Sequence, residues 1–232
     1  MMNPLMIARA LKAAVKLVLN PDLLGEVITL ADSISTPAIH ESMIAHISRD
    51  PAAARAIVER PRVGTINLTE LRALPEGTLG REFAEHMIAN KLDPAALPSR
   101  EANDPASYLS AHLYETHDIW HAVTGFKTDV AGEMGLQAFY CAQFPARLGT
   151  AIVAGGLFNT LFFAFDERDV RMRAIVRGWL IGMRARPFFG VRWRDMWKMP
   201  IEDVRKSLDV DLASIEQLLP NLEPLPAPRA AA

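Results

Sequence analysis

Cysteine is nearly absent from this chain of 232 residues, which contains only Cys141. A disulfide needs two cysteines and a cysteine-based zinc site needs several, so the sequence excludes both within one chain. Any metal ion that the protein binds must therefore take histidine and carboxylate ligands. Because Cys141 lies in an apolar run, we expect it to act as a small buried hydrophobic residue.

An excess of charge of one sign is also missing. The 25 basic and 27 acidic residues give a formal net charge of -2, so we expect no nucleic acid as a partner. A secretory signal is not evident either, because Arg9, Lys12 and Lys16 interrupt the N-terminal apolar stretch and no small-residue cleavage site follows. These features together predict a cytoplasmic protein.

Runs of alternating β-branched residues are lacking, which disfavours a substantial sheet. Apolar residues recur instead at helical spacing, and prolines divide the helical segments. The sequence predicts an all-α protein with a single helical domain over residues 1–219 and a Pro/Ala-rich tail over residues 220–232. The predicted helices cover approximately residues 4–19, 22–33, 38–48, 51–59, 67–73, 80–91, 105–123, 130–143, 148–165, 167–185 and 201–208.

The longest uncharged run extends over 18 residues, from Leu148 to Phe165. Roughly 20 predominantly apolar residues are needed to cross a bilayer, and Gly155, Gly156 and Asn159 lower the hydrophobicity of this run. A membrane span is therefore the least favoured interpretation. We predict a helix that is fully buried in the core, or, more specifically, one that lines a buried apolar cavity able to accept a lipid.

A candidate metal site lies in the predicted helix over residues 105–123. His117 and His121 are four positions apart, so they project from one face of that helix, and two imidazoles at this spacing can reach one cation. Asp118 can complete the ligand set, orient a histidine, or transfer a proton. Glu133 begins the next helix after the break at Gly125, so a helix hairpin would bring it back toward the histidines.

Two imidazoles and two carboxylates suit a divalent metal, with zinc favoured and iron or manganese as alternatives. Gln137 and Tyr140 continue the helix face of Glu133, and Tyr114 precedes His117 by three positions. We consider these three residues candidates for substrate binding, although ordinary helix packing also accounts for each of them.

The pattern His117-Asp118-x-x-His121, followed by eleven residues and Glu133, resembles the signature of the coenzyme Q biosynthesis protein 4 family, as in a bacterial homologue. Further segments resemble that family in the same order along about residues 55 to 210. They are Ile57–Val63, Leu74–Gly80, Gly178-Trp179, Ala185–Pro187, Trp197-x-x-Pro200 and Val204-Arg205-x-x-Leu208.

This resemblance implies a metal site formed by His117, Asp118, His121 and Glu133 beside a channel for a polyprenyl chain. It also implies a decarboxylase (lyase) in ubiquinone biosynthesis, which replaces the ring carboxylate of a polyprenyl hydroxybenzoate by a hydroxyl, with Asp118 and Glu133 as catalytic residues. The expected partners are a polyprenylated aromatic lipid, other ubiquinone-biosynthesis enzymes and a second copy in a homodimer.

Peripheral contact with the inner membrane is a further expectation. The helix over residues 4–19 places three basic residues beside apolar ones, so residues 1–20 are a candidate interfacial helix. Packing of this helix on the protein's own core is an equally favoured alternative. A basic run over residues 168–186 is a second candidate for contact with lipid headgroups, although most such runs are solvated faces.

Two other functions remain as alternatives. The first is a non-catalytic lipid-binding scaffold that organises biosynthetic enzymes, with a structural metal. The second is a phosphohydrolase of the His-Asp type, for which His86 and His112 are available upstream and Asp166 and Asp169 downstream. That class does not explain the second histidine of the motif or Glu133.

Overall fold

The computed structural model describes residues 4–21, 23–94 and 101–219, and the predicted tail over residues 220–232 lies outside them. Over the described residues the protein is a single helical domain without strands, which confirms the predicted all-α class. The helices are α1 (Pro4–Leu19), α2 (Leu24–Ile34), α3 (Pro37–Ile47), α4 (Pro51–Glu59), α5 (Leu68–Arg72), α6 (Leu79–Ala89), α7 (Pro105–Thr124), α8 (Val130–Gln143), α9 (Arg147–Phe163), α10 (Arg168–Arg184), α11 (Ile201–Ser207) and α12 (Leu212–Leu218).

The boundaries of these helices follow local sequence signals. The Asp50 side chain accepts hydrogen bonds from the backbone N–H groups of Ala52 and Ala53 at the start of α4. Asp104 and Ser107 form a reciprocal capping box at the start of α7, where Pro105 occupies the first helical position. Short-range chemistry of this kind explains why most helices lie within a few residues of their predicted positions.

The main core surrounds α7, and Trp120 near the C-terminal end of this helix is fully buried. Its indole ring contacts Phe139 and Tyr140 of α8 and Phe188 of the segment after α10. These edge and tilted ring contacts join α7 and α8 to the C-terminal part of the chain. The two helices that carry the candidate metal ligands are therefore anchored in the main core.

Helices α1 and α2 belong to a second, smaller apolar cluster. Ala13 and Leu17 of α1 pack against Leu30 of α2, and Leu148 and Ala151 of α9 border this cluster. An ion pair between Lys16 and Glu26 also links the two helices. The α1–α2 pair therefore covers α9 without joining the main core.

The prediction that the uncharged run is a fully buried core helix is wrong. In α9, Phe158, Leu161, Phe162 and Phe163 are exposed, and Phe162 retains 66 % of its accessible surface. Only one side of the helix is covered, because α1 and α8 pack on it and no described element covers the opposite side. A run without a charge on any side gives no amphipathic signal in the sequence for which side faces the core.

Two smaller expectations also need revision. Helix α12 was not predicted, although Asp211 caps it by accepting a hydrogen bond from the backbone N–H of Ser214. Cys141 is only half-buried, and its Sγ lies 3.6 Å from Thr150 Oγ1. Among the described helices, none combines the length and the apolar character that crossing a bilayer requires.

Candidate metal centre

The centre is built where α7 ends and α8 begins. Gly125 stops α7 with a positive φ of 70°, a conformation that glycine adopts without strain. Asp129 then caps α8 by accepting a hydrogen bond from the backbone N–H of Gly132. This cap places Glu133 in the first turn of α8, facing His117 and His121 on the last two turns of α7.

The three side chains converge at a spacing suited to one cation. Nε2 of His121 lies 3.1 Å from Oε1 of Glu133, and Nε2 of His117 lies 3.6 Å from Oε2 of the same carboxylate. One ligand atom from each residue lies within 4.8 Å of the other two. The predicted i, i+4 histidine pair and the glutamate after the glycine break therefore form one cluster.

The outer nitrogen of each imidazole has its own partner. Nδ1 of His121 lies 3.3 Å from the carbonyl oxygen of Phe126, which can only accept a hydrogen bond, so Nδ1 is the donor. Nδ1 of His117 lies 3.3 Å from the hydroxyl of Tyr140. Contacts of this kind orient metal-binding histidines and select the ring nitrogen that faces the metal.

The environment of His121 fits a bound cation. Its side chain is fully buried, and its Nε2 makes no well-formed hydrogen bond. With Nδ1 donating to Phe126, Nε2 of neutral His121 is an acceptor that faces a carboxylate oxygen, another acceptor. Such a pair repels unless a proton or a metal ion lies between the two atoms. One oxygen and two nitrogen ligands are compatible with zinc, iron or manganese.

The charges of these residues are strongly coupled. Burial lowers the pKa of His117, but the hydrogen bond to Glu133 and the negative charges of Glu133 and Asp118 outweigh burial and raise that pKa above its usual value. Burial acts to raise the pKa of Glu133, but the two histidines outweigh it and hold that pKa well below the usual range. Without a metal, the carboxylate therefore stays ionised and favours a proton on His117.

We expect zinc affinity to fall as the pH is lowered. A bound metal needs neutral His117, and Glu133 raises the pKa of that imidazole, so competition by protons begins above the ordinary histidine pKa of about 6.5. Below the raised pKa, the apparent affinity should fall about tenfold per pH unit for the one displaced proton. Competition with a fluorescent chelator between about pH 5.5 and pH 8.5 measures this dependence. An affinity that stays constant over this range contradicts the assignment of His117 as a ligand.

Two pockets meet at the centre. The smaller, of about 180 Å³, is mostly apolar, and the larger, of about 570 Å³, is bordered by α1, α8 and α9. His117 and Gln137 line both pockets, as do Leu24 and Val27 of α2. We call the place where the two pockets meet, at His117 and Gln137, the junction. Helix α2 lies over this junction, and a molecule in either pocket would contact His117.

The predicted site residues all lie in this region. Tyr114, Gln137 and Tyr140 line the smaller pocket beside His117, and Gln137 is only 6 % exposed. Asp118 lines the larger pocket with Glu133 but is not one of the three clustered ligands. Burial is the main cause of the raised pKa of the Tyr140 hydroxyl, and the charges of Glu133 and Asp118 add to it. The charge of Asp118 also contributes to the raised pKa of His117. The structure thus brings together three of the four predicted ligands, with Asp118 beside them.

Some residues near the centre were not predicted to belong to it. The ring of His86 on α6 stacks on that of His121, with centroids 5.7 Å apart, and its Nε2 is buried without a partner. From the sequence, His86 was a candidate only for the upstream histidine of a phosphohydrolase of the His-Asp type. Neither His86 nor Asp166 or Asp169 belongs to the ligand cluster found among the described residues, so the geometry does not favour that alternative.

Other proteins resemble this chain in sequence. The model of the family described as coenzyme Q (ubiquinone) biosynthesis protein Coq4 matches residues 5–214. The ubiquinone biosynthesis protein COQ4 homolog, mitochondrial, of Rattus norvegicus is 29 % identical over 170 residues, which are 71 % of this chain and 63 % of the rat protein. The corresponding mitochondrial protein of Aspergillus fumigatus is 29 % identical over 224 residues, covering 91 % of this chain and 76 % of its own length.

A solved structure is also similar. It is a crystal structure described as that of a ubiquinone biosynthesis protein from Nostoc punctiforme PCC 73102, and it superposes with a TM-score of 0.74 at 27 % sequence identity. The match covers 88 % of this chain and 98 % of the Nostoc chain. Since the family model extends over nearly all of the described residues, the chain belongs to the coenzyme Q (ubiquinone) biosynthesis protein Coq4 family.

Proposed function

We propose that this protein acts in ubiquinone biosynthesis as a metal-dependent enzyme that replaces the ring carboxylate of a polyprenyl hydroxybenzoate by a hydroxyl. Family membership supports the pathway. The observation that best supports a metal is the buried Nε2 of His121, which faces the Glu133 carboxylate without a hydrogen bond. A metal ion between these two acceptors would remove their repulsion, which supports a metal-dependent function.

The two pockets suit a substrate that has a polar head and an apolar chain. In this proposal the aromatic ring lies at the junction, where Tyr114, Gln137 and Tyr140 offer hydroxyl and amide groups beside His117. The chain then extends along apolar walls formed by α2 and α9. Burial of an isoprenoid chain against such walls stabilises binding in proportion to the apolar area removed from water.

The residues of the centre have separate roles in this proposal. His117, His121 and Glu133 hold the metal, which when bound acts as a Lewis acid toward the carboxylate and phenolate oxygens of the substrate. Asp118, in the wall of the larger pocket, exchanges a proton with the ring or with its new hydroxyl. The carboxylate leaves as carbon dioxide and a hydroxyl takes its place, which is a net two-electron oxidation of the substrate. The step balances when water supplies the hydroxyl oxygen and dioxygen accepts the two electrons and two protons to leave as hydrogen peroxide, so dioxygen has to reach the same junction.

The same proposal includes a setting for the protein. A polyprenyl substrate resides in a bilayer, so we place the protein at the periphery of the inner membrane, as a homodimer in contact with other enzymes of the pathway. The nearest alternative is a non-catalytic lipid-binding scaffold. Asp118 lies beside the three clustered ligands. If Asp118 also bound the metal, four protein ligands would close the site to substrate, as expected of the scaffold.

Release of carbon dioxide tests the catalytic proposal. We expect purified, metal-loaded protein in air to release labelled CO₂ from a polyprenyl hydroxybenzoate labelled in its carboxyl group, and to form the hydroxylated ring detected by mass spectrometry. Gln137→Leu should lower turnover while metal content stays unchanged, because it removes an amide from the pocket wall but no ligand. Metal and substrate bound without any CO₂ release, together with pathway enzymes retained on affinity purification, would indicate the scaffold instead.

A further inference from the structure

Gln137 of α8 carries a buried amide at the junction of the two pockets. The residue is 6 % exposed, and it lines both pockets. Among the residues that the structure describes, no group forms a hydrogen bond with its side chain. Polar groups buried in folded proteins are nearly always paired, because an unpaired one costs free energy. The amide of Gln137 is therefore suited to a partner that enters the pockets.

A second glutamine of the same helix serves the fold instead. Nε2 of Gln143 donates to the carbonyl oxygen of Gly182 on α10 at 2.9 Å, and its Oε1 accepts a hydrogen bond of 2.9 Å from the backbone N–H of Phe188. The amide of Gln143 thus joins α8 to the C-terminal part of the chain. The amide of Gln137 makes no comparable link within the described part of the chain, so the packing of the helices does not explain it.

The neighbouring helix leaves room for this amide. A Cβ atom at Gly149 of α9 would lie 3.3 Å from Oε1 of Gln137 and 3.0 Å from its carbonyl oxygen. Gly149 lines the smaller pocket together with Gln137. The lack of a side chain at Gly149 therefore keeps space open beside the amide oxygen, on the pocket wall.

Tyr140 adds a hydrogen-bond donor to the same pocket. It follows Gln137 by three positions, so the two side chains share one face of α8. When Nε2 of His117 binds a metal ion, Nδ1 carries the ring hydrogen and donates to the Tyr140 oxygen, which lies 3.3 Å away. Burial raises the pKa of the Tyr140 hydroxyl, which therefore keeps its own hydrogen. That hydrogen is left for an acceptor on a ligand.

We propose that Gln137 determines specificity for a free hydroxyl on the aromatic ring of the ligand. A hydroxyl can donate to Oε1 of Gln137 and accept from Tyr140 at the same time. A carboxylate or a methyl ether carries no hydrogen to donate, so either group would leave Oε1 unpaired inside the pocket. The ligand class is therefore a polyprenyl ring whose hydroxyl is not methylated.

Recognition of this hydroxyl rests on the proposed function for the identity of the ring, but it needs no turnover. In an enzyme Gln137 selects the substrate, and in a scaffold it selects the lipid that is held. A site that forms a hydrogen bond with a ligand hydroxyl rejects analogues that lack it, because the buried polar group of the protein is then left unpaired. Gln137 should therefore affect the choice between ligands more than the binding of a prenyl chain.

Calorimetric titration of the metal-loaded protein with three matched ligands tests this specificity. The ligands are a geranylated para-hydroxybenzoate, its methyl ether at the ring hydroxyl, and the analogue without that ring oxygen. Titration under nitrogen withholds dioxygen, so that dissociation constants are measured without turnover. We expect the wild-type protein to bind the hydroxyl ligand about tenfold or more tightly than either analogue. In Gln137→Leu the three dissociation constants should agree within about twofold, because affinity for the hydroxyl ligand is lost.

Gln217→Leu is the matched control, since it makes the same exchange at an exposed position of α12 and should leave the preference unchanged. Gln137→Met keeps nearly the length of glutamine, and it replaces Gln137→Leu if circular dichroism shows that the leucine variant is unfolded. Equal binding or no binding of the three ligands by the wild-type protein would overturn the inference. So would Gln137 variants that retain the preference or that weaken all three ligands alike.

The release of carbon dioxide is a separate measurement. A preference for the hydroxyl ligand without any release would contradict the catalytic proposal and support the role of Gln137. Release without such a preference would do the reverse.

Discussion

Replacing His121 by alanine should abolish metal binding while the protein stays folded. His121 is the most deeply buried of the three clustered ligands, and its Nε2 faces Glu133 without another partner. Removal of residues that only orient metal ligands typically costs 10- to 100-fold in affinity, so loss of a ligand itself should cost more than about 100-fold. Native mass spectrometry should show about one divalent metal per wild-type chain and none on His121→Ala.

A graded series makes this result specific to the centre. Tyr140→Phe removes only the hydroxyl that contacts Nδ1 of His117, so it should weaken metal binding by about 10- to 100-fold without abolishing it. His46→Ala removes a partly exposed histidine of α3 that is not part of the cluster, and metal content should not change. Full metal occupancy in His121→Ala, with an unchanged affinity, would show that the cluster is not the metal site.

The second large effect is expected from Gly178→Ala, which should destabilise the fold by about 3 kcal/mol. A Cβ atom at Gly178 of α10 would lie 1.8 Å from the carbonyl oxygen of Gly135 of α8. The Cβ atom is attached directly to the backbone of α10 and the contacted atoms are backbone atoms of α8, so the two helices would have to separate. Because α8 carries Glu133, this separation should also weaken metal binding. Chemical denaturation followed by circular dichroism measures the change in the free energy of unfolding.

Gly155→Ala is the matched control for this substitution. Gly155 also lies inside a helix, but a Cβ atom there would meet only Val18 Cγ2, at 3.8 Å. The higher helix propensity of alanine should therefore stabilise the protein by about 0.5 to 1 kcal/mol. Equal effects of the two substitutions would show that helix propensity, and not the close approach of α8 and α10, determines the outcome at Gly178.

The helix boundaries and the histidine pair were predicted correctly because they depend on interactions between residues close in the chain. Helix boundaries depend on prolines, glycines and capping side chains such as Asp104 and Asp129, whose effects extend over only three or four residues. The pairing of His117 with His121 follows from the helical repeat alone. The position of Glu133 depended on one further feature, the break at Gly125, which is also local.

Contacts between residues distant in the chain decided the rest. No local pattern places His86 beside His121, because α6 reaches α7 only through tertiary packing. The same limit explains the error on α9: after Arg147 that helix has no charge on any side, so only the packing of α1 and α8 selects the side that is covered. Local patterns therefore determined the helices and the ligand cluster, whereas the tertiary structure decided the surroundings of the centre and the exposed side of α9, because burial depends on which helices pack together.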